Sequence, residues 1–472
     1  MAERLTYHPP AHEIGGEKCA VFGIHSPSPN NAHIVYQGLV ALQHRGQESS
    51  GITTSDGENI YSHRKTGMVL QVYDHRILDS LVGNVVIGHN RYATYSKKSA
   101  EEHLQPVIDE SRSFTLAHNG NLPDTSKIET FLDEHGIKTD ALNDTEMMHA
   151  AIAYYVRKGA SLEDAIMDAV PLFTGAFSLL AMDKSKIVAI RDGKGIRPFS
   201  IGSLDEGYVF SSETCAFDTV GARFIRDVAP GEMVVADENG LLSEEFEQGD
   251  QKLDIFEFVY FSRPDSVLLG KSVNTVRKNF GRILAKEHPI KGDIVIPVPD
   301  SGIPAAEGYA EGSGIPLITG LIKNRSIGRT FIDSDQSRRR DYVTLKLNPL
   351  PEELRNQRVI VVDDSIVRGT TSRNLIRMIR DAGAREVHLV ITCPPIKFPD
   401  FYGIDTPTQK ELIGANKSIE EIRRFISADS LSFLSLEGTI QATGLPESEF
   451  STSCFTGEYP IDIGKRKQEV NY

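Results

Sequence analysis

The chain has 472 residues, 40% hydrophobic and 25% charged, a globular profile with length for two or three domains and sizeable buried cores. Its net charge of −14 excludes a general nucleic-acid binder, for which a basic balance is expected; local basic clusters can still hold small anions. No apolar stretch nears the ~20 residues of a membrane helix, and residues 1–18, MAERLTYHPPAHEIGGEK, lack the apolar middle of a secretory signal. A cytoplasmic protein without membrane contact is expected. The four cysteines, Cys19, Cys215, Cys393 and Cys454, form no C-x-x-C pair, so neither a disulfide framework nor a zinc site is indicated.

In chain order, CAVFGI from Cys19 predicts a strand, and HIVYQGLVALQHRG (33–46) carries apolar residues at helical spacing until Gly46. NVVIGHNRYAT (84–94) and SFTLAHNGNL (113–122) predict strands that run into polar turns. DTEMMHAAIAYYVRKG (144–159), with Asp144 or Thr145 as cap, and SLEDAIMDAVPLF (161–173) predict helices. GAFSLLAMDKSKIVAIRD and EMVVADENGLLSEEF predict hairpins. Strands and helices in separate blocks indicate an α+β layered domain. The polar stretch EFEQGDQKLD (245–254) marks a boundary. Beyond it, DIVIPVPDSG, PLITGLI, RVIVVDDSIVRGTTSRNLIRMIRDAG and REVHLVITCPP alternate strand with turn and helix, which predicts an α/β domain with a mostly parallel sheet.

The most specific string is VIVVDDSIVRGTTS (359–372). A buried strand delivers Asp363 and Asp364 to its carboxyl end, where parallel sheets place ligands. Arg368, Gly369, Thr370, Thr371 and Ser372 then form a loop that offers backbone N–H groups and a positive helix end to an anion. The acids prefer hydroxyls or a cation, so a sugar diol beside a phosphate satisfies both. An acidic pair after a strand is more often a solvated turn or a cap, but the combination is not. The string resembles the signature of type I phosphoribosyltransferases. That resemblance implies phosphoribosyl pyrophosphate as ligand, with Asp363 and Asp364 on the ribose hydroxyls and magnesium, and Ser365 with the 368–372 loop around the 5-phosphate. PVPDSGIPAA places Asp300 and Ser301 where the family's pyrophosphate loop lies, Ser301 sharing the magnesium. Segment 323–346 holds seven Lys or Arg against three Asp, a net +4. The resemblance implies a flap over the diphosphate there, with Lys323, Arg325, Arg329 and Lys346.

CAVFGI, QHRGQESSGI, GHNRYAT, HNGNL and LNDTE occur in that order and match the glutaminase domain of the N-terminal-nucleophile class. Its pairing with a phosphoribosyltransferase is similar to the glutamine phosphoribosyl-pyrophosphate amidotransferase family, over nearly the whole chain. Cleaving an amide needs a nucleophile, a base and an oxyanion hole. If Cys19 were the first residue of the mature chain, its own α-amine, of pKa near ~8, could take the thiol proton. The resemblance implies Cys19 as nucleophile, Asn119 and Gly120 as oxyanion hole, and Arg91 and Asp144 for the glutamine α-carboxylate and α-ammonium. It also implies a propeptide over 1–18, a glutaminase domain over 19–250, a phosphoribosyltransferase domain over 251–460 and a tail over 461–472. The expected product is 5-phosphoribosylamine, the first committed step of purine synthesis, with purine nucleotides as feedback inhibitors and a homodimer or homotetramer as assembly.

Relatives with a propeptide often carry a four-iron, four-sulfur cluster. Its ligand positions fall here on Asp254, Asp400, Ser451 and Cys454; hard oxygens suit such a cluster poorly, and none is expected. A glutamine:sugar-phosphate aminotransferase would share the first domain but lack VVDDSIVRGTTS. A non-catalytic nucleotide-sensing regulator would lack the glutaminase set.

Overall fold

The computed structural model describes residues 19–92, 103–324, 346–404 and 406–470. The first half is built on two stacked antiparallel sheets. One is seven-stranded, in the order Arg223–Asp227, Ser200–Leu204, Gly207–Ser211, Ala20–His25, Val85–Arg91, Ser49–Ser55, Ile60–Thr66. The other is six-stranded, in the order Gly240–Glu245, Glu232–Asp237, Ile187–Arg191, Thr174–Met182, Thr115–Asp124, Val107–Ile108. Val21, Ile87, Ala117, Leu180, Phe199 and Phe210 fill the space between them. Helices Asn31–Ala41 and Cys215–Val220 cover the outer face of the first sheet; Ser126–Glu134, Asp144–Arg157 and Leu162–Ala169 cover that of the second. Strands in such a helix–sheet–sheet–helix stack are buried on both faces, so Ala20–His25 is buried throughout and shows no polar alternation.

Local details depart from the sequence expectations in three places. HNGNL is no turn but the middle of the strand Thr115–Asp124, paired with Thr174–Met182 from Thr115↔Met182 to Asn121↔Ala176. The cap of Asp144–Arg157 is Asn143, which accepts from Glu146 N at 2.8 Å while Glu146 bonds back to Asn143 N at 2.8 Å; this reciprocal box releases Asp144 for other partners. The segment 316–322 adds only the bridge Val295↔Leu317 to the parallel sheet; Leu321–Lys323 pairs instead with Leu347–Pro349.

The second half carries a four-stranded parallel sheet, Ile294–Pro297, Arg358–Asp363, Glu386–Ile391, Ser430–Phe433. Its registers Pro297↔Val362, Asp363↔Ile391 and Ile391↔Phe433 align the carboxyl ends along one edge. Residues 461–470, expected as a tail, return to the first half: Ile463 and Val470 are buried with Ala176, Ile196, Phe401 and Tyr402.

A buried ion cluster joins the halves. Arg45 donates through Nη1 to Glu213 Oε1 at 2.5 Å and Glu257 Oε2 at 2.9 Å, and through Nη2 to Glu257 Oε1 at 2.7 Å. Ser262 Oγ donates to Glu257 Oε2 at 2.6 Å. Burial opposes ionisation of Glu213, yet His44 and Arg45 hold its carboxyl well below the usual range. Removing one member strands its partners as uncompensated charges. Arg45→Met is therefore expected to cost roughly 3–5 kcal/mol, read as a lower urea midpoint; an unshifted midpoint would contradict it.

Candidate active sites

Cys19 is partly buried and immediately precedes the strand Ala20–His25. That strand pairs Ala20↔Asn90 with Val85–Arg91, which brings Arg91 alongside Cys19. Arg91 is buried; its Nη1 donates to the His103 carbonyl, and its Nε lies 4.0 Å from Glu48 Oε2. Burial raises the Glu48 carboxyl pKa even though Arg91 opposes it.

Asn119 and Gly120 come from the other sheet. Ser212 links the two: its Oγ accepts from Val21 N at 3.0 Å and from Asn119 Nδ2 at 3.2 Å, and its N donates to Val21 O at 3.1 Å. An amide nitrogen carries two hydrogens, so Asn119 keeps a second one for a ligand. Gly120 has φ 153°, and a Cβ there would collide with the Ala176 carbonyl oxygen; the close strand crossing requires glycine. Asp144, first residue of its helix, accepts from Leu122 N at 3.2 Å, and its Oδ2 lies 3.7 Å from His118 Nδ1. Burial lowers the His118 pKa, so this contact holds a neutral ring.

The structure thus links Cys19, Arg91, Asn119, Gly120 and Asp144 through short tethers. Sequence reasoning missed Ser212, and also Arg45, whose Nε donates to Cys19 O at 3.2 Å. Both lie far along the chain from what they hold, and only QHRG, already singled out, gave a signal for Arg45.

The second site lies at the carboxyl edge of the parallel sheet. Asp363 Oδ1 accepts from Asp364 N at 3.0 Å, and Ser365 Oγ donates to Asp364 Oδ1 at 3.0 Å. Gly369, at φ 77°, is the N-cap of the helix Thr370–Asp381. Thr370 and Thr371 are its exposed first turn, not a loop, while Ser372 is buried. Arg368 Nη2 donates to Glu411 Oε1 at 2.9 Å. The neighbouring turn is held by Val298 N donating to Val362 O at 2.9 Å, which sets Asp300 and Ser301 beside the acids. Asp300 pairs with Lys323. Lys323 and Lys346 stand at the base of the Leu321–Lys323/Leu347–Pro349 hairpin, with Asn324 N donating to Lys346 O at 2.9 Å. Arg325 and Arg329 lie outside the described residues, as do residues 1–18.

Comparison with known proteins finds relatives of both halves. A family model for a glutamine amidotransferase domain matches residues 89–219, and one for a phosphoribosyl transferase domain matches 269–410. The amidophosphoribosyltransferase of Synechocystis sp. is 46% identical over 95% of this chain and 92% of its own; that of Bacillus subtilis is 43% identical over 96% of each. A solved structure of the B. subtilis glutamine phosphoribosylpyrophosphate amidotransferase, complexed with ADP and GMP, superimposes with a TM-score of 0.88 over 95% of this chain and 98% of that one, at 43% identity. The chain belongs to the amidophosphoribosyltransferase family. It is a glycosyltransferase with glutamine amidotransferase activity, making 5-phosphoribosylamine from phosphoribosyl pyrophosphate, glutamine and water at the entry to purine biosynthesis.

In this amidophosphoribosyltransferase the four positions aligned with iron–sulfur ligands do gather. Asp254 pairs with Ser451 in a short parallel bridge, and Asp400 and Cys454 line one small cavity with Phe256, Ile396 and Ile404. Burial, with Asp254 and Asp400 adding to it, pushes the Cys454 thiol pKa well up, so the one sulfur is protonated and the rest are hard oxygens; the set does not fit such a cluster. Arg197 occupies the neighbourhood instead, its Nη1 3.4 Å from Asp254 Oδ2 and its Nη2 4.0 Å from Asp400 Oδ1.

Two guanidiniums, Arg45 and Arg197, face four buried carboxyls, Glu213, Glu257, Asp254 and Asp400. Burial raises the Asp254 carboxyl pKa, Asp400 adds to it and Arg197 opposes it. Above about pH 4 the unfolded Asp254 has ionised while the folded one keeps its proton, so the folded state binds more protons and stability falls as pH rises. Asp254→Asn is expected to flatten that fall between mildly acid and neutral pH. Denaturation midpoints with the same pH slope in both proteins would refute it.

Proposed function

We propose that glutamine is opened at Cys19 and that its nitrogen is used at the edge bearing Asp363 and Asp364, with 19–250 and 251–460 as the two functional domains. The Cys19 sulfur attacks the side-chain amide carbon while the Cys19 α-amine takes the thiol proton. The oxygen, now anionic, accepts from Asn119 Nδ2 and Gly120 N. Collapse expels ammonia, protonated by the α-ammonium, and leaves a thioester, which water then cleaves to glutamate. Arg91 clamps the substrate carboxylate and Asp144 its ammonium. The ammonia passes inside the protein to C1 of the ribose and displaces pyrophosphate. The observation that carries this reading is the Ser212 tether, which fixes Asn119 to the strand that starts beside Cys19.

On the acceptor side, Asp363 and Asp364 hold the ribose diol, and Ser365, Arg368, Gly369, Thr370, Thr371 and Ser372 hold the 5-phosphate at the start of the helix. Asp300, Ser301, Lys323, Arg325, Arg329 and Lys346 serve the pyrophosphate. An all-oxygen set of two adjacent carboxylates and a hydroxyl suits magnesium, which keeps waters and substrate phosphate oxygens as its other ligands; Asp363, Asp364 and Ser301 would hold it. Bound there, it would supply positive charge against the departing pyrophosphate. The enzyme works without an iron–sulfur cluster. Purine nucleotides act as inhibitors, in line with the ADP and GMP bound by the B. subtilis relative, and the assembly is a homodimer or homotetramer. No described helix is long and apolar enough to cross a membrane, and we place the enzyme in the cytoplasm.

The two-site reading predicts a split. Cys19→Ser is expected to lose glutamine-dependent synthesis by on the order of 10³-fold or more yet keep synthesis from free ammonia. Asp363→Asn or Asp364→Asn is expected to lose both. Pyrophosphate release measured with each nitrogen donor checks this, and a joint loss in Cys19→Ser would end the reading.

An internal Cys19 would carry a non-basic amide nitrogen, so the active enzyme is expected to begin at Cys19, residues 1–18 having been removed. N-terminal sequencing of active protein checks it. Full glutaminase activity from a chain that still carries residues 2–18 would overturn the amine's role.

A further inference from the structure

The segment Asp400–Ile404 belongs by chain position to the acceptor half, yet it also reaches Gly120, Asn121 and Arg197 of the glutaminase half. It folds on itself through Asp400 Oδ1, which accepts from Tyr402 N at 2.8 Å and Ile404 N at 3.1 Å. Asn121 Nδ2 donates to Phe401 O at 2.9 Å, and Arg197 Nε donates to Tyr402 O at 3.0 Å. Gly403 has φ 109°, and a Cβ there would lie 3.2 Å from both Cα and C of Gly120 and 3.1 Å from Arg197 Nη2. Phe401 and Tyr402 are buried with Ala176, on the strand paired to Gly120, and with Ile463 and Val470. The Tyr402 hydroxyl donates to Ile461 O and accepts from Ile461 N at 3.0 Å, and the Arg466 guanidinium lies 4.8 Å from the Phe401 ring centre.

From these contacts we infer that Asp400–Ile404 is a positioning clamp for the oxyanion hole: it backs the peptide at Gly120 and sets the direction of the N–H and amide donors that meet the developing oxyanion. The inference rests on the assignment of Asn119 and Gly120 as that hole. The geometry explains why a glycine faces a glycine here. Two main chains in contact leave no side chain to yield, so the position of one dictates the position of the other. An oxyanion donor is worth most when fixed before the reaction begins, and Gly120, which lacks a side chain to anchor it, takes its fixity from Asn121 below and Gly403 behind.

The test uses the intact two-domain enzyme beginning at Cys19, with Asn121→Ala, which removes the hydrogen bond to Phe401, and Gly403→Ala, which inserts a Cβ against Gly120. Glutamine hydrolysis is measured alongside ammonia-dependent synthesis and thermal denaturation. Each variant is expected to lose about tenfold to 10²-fold in glutaminase kcat, the scale of a small misplacement of catalytic groups. The glutamine KM should scarcely move, because the lost interaction is made in the transition state, and ammonia-dependent synthesis should be retained; Tm is expected to fall modestly, since alanine at φ 109° is strained and the Phe401 carbonyl loses a donor, while staying above the assay temperature. Where Gly403→Ala fails to fold, Asn121→Ala carries the test alone. Glutaminase kcat at the wild-type level in Asn121→Ala, or an equal fall of both activities, would overturn the clamp. Asn119→Ala, assayed in parallel, separates the two readings: glutaminase left intact by it would overturn the oxyanion assignment itself, whereas its loss beside an unaffected Asn121→Ala overturns only the clamp.

Discussion

Two arginine side chains buried where the halves meet constrain the rest of this molecule. Arg45 and Arg197 are each about 2% exposed or less, and charges so far from water persist only with partners within hydrogen-bond reach. Their partners come from both halves: Glu213 from the first, Glu257, Asp254 and the Tyr402 carbonyl from the second. Separating the halves would leave cations and carboxylates without each other in a site shaped to exclude water. Such a cluster adds little net stability compared with an apolar core, but it admits few alternative registers. The Arg45 link to the Cys19 carbonyl extends that registration to Cys19.

The two halves also show how sheet type governs what is legible in sequence. In the parallel sheet the chemistry sits at strand ends, so one continuous string, VIVVDDSIVRGTTS, contains strand, acids, cap and helix start, and the structure keeps them adjacent. In the stacked antiparallel sheets the site is assembled across layers. Cys19, Arg91, Asn119 and Asp144 each lie in a recognisable motif, but Ser212, which joins Asn119 to the strand that starts beside Cys19, is a serine in an ordinary strand-end sequence. Its partner Val21 is 191 positions away, and no local pattern encodes that distance. HNGN illustrates the opposite error: its composition favours a turn, yet pairing on one side with Thr174–Met182 outweighs that preference and keeps it extended. The cap position was missed for a related reason, since Asn143 and Asp144 have similar capping ability and the reciprocal bond from Glu146 decides between them.

The family resemblance assigned cluster-ligand positions to Asp254, Asp400 and Ser451, but not the consequence of having oxygens there. Oxygen ligands exclude a soft-metal cluster, and in water three such residues would be unremarkable. Buried, they become a problem of charge: four acids crowd two guanidiniums, and a carboxyl that keeps its proton is cheaper than a fourth unpaired anion. Burial raises the pKa of both Asp254 and Asp400; Arg197 opposes the rise at each, and the N–H groups of Tyr402 and Ile404 oppose it further at Asp400. What stands at those positions is therefore a polar tie rather than a vacant metal site.

That tie has a direction. Asp254 sits in the bridge to Ser451, Asp400 organises the turn through Tyr402 to Ile404, and Arg197 holds both ends from the glutaminase side. The turn so fixed is the one that meets Gly120. A glutaminase that hydrolyses its substrate when no acceptor is present wastes the nitrogen, and with the proposed role for Gly120 a strand that rests on the acceptor half ties the geometry of one reaction to the presence of the other half. Two backbones, one from each half, pack against each other at Gly120 and Gly403, and buried charge at Arg197, Asp254 and Asp400 sets where they touch.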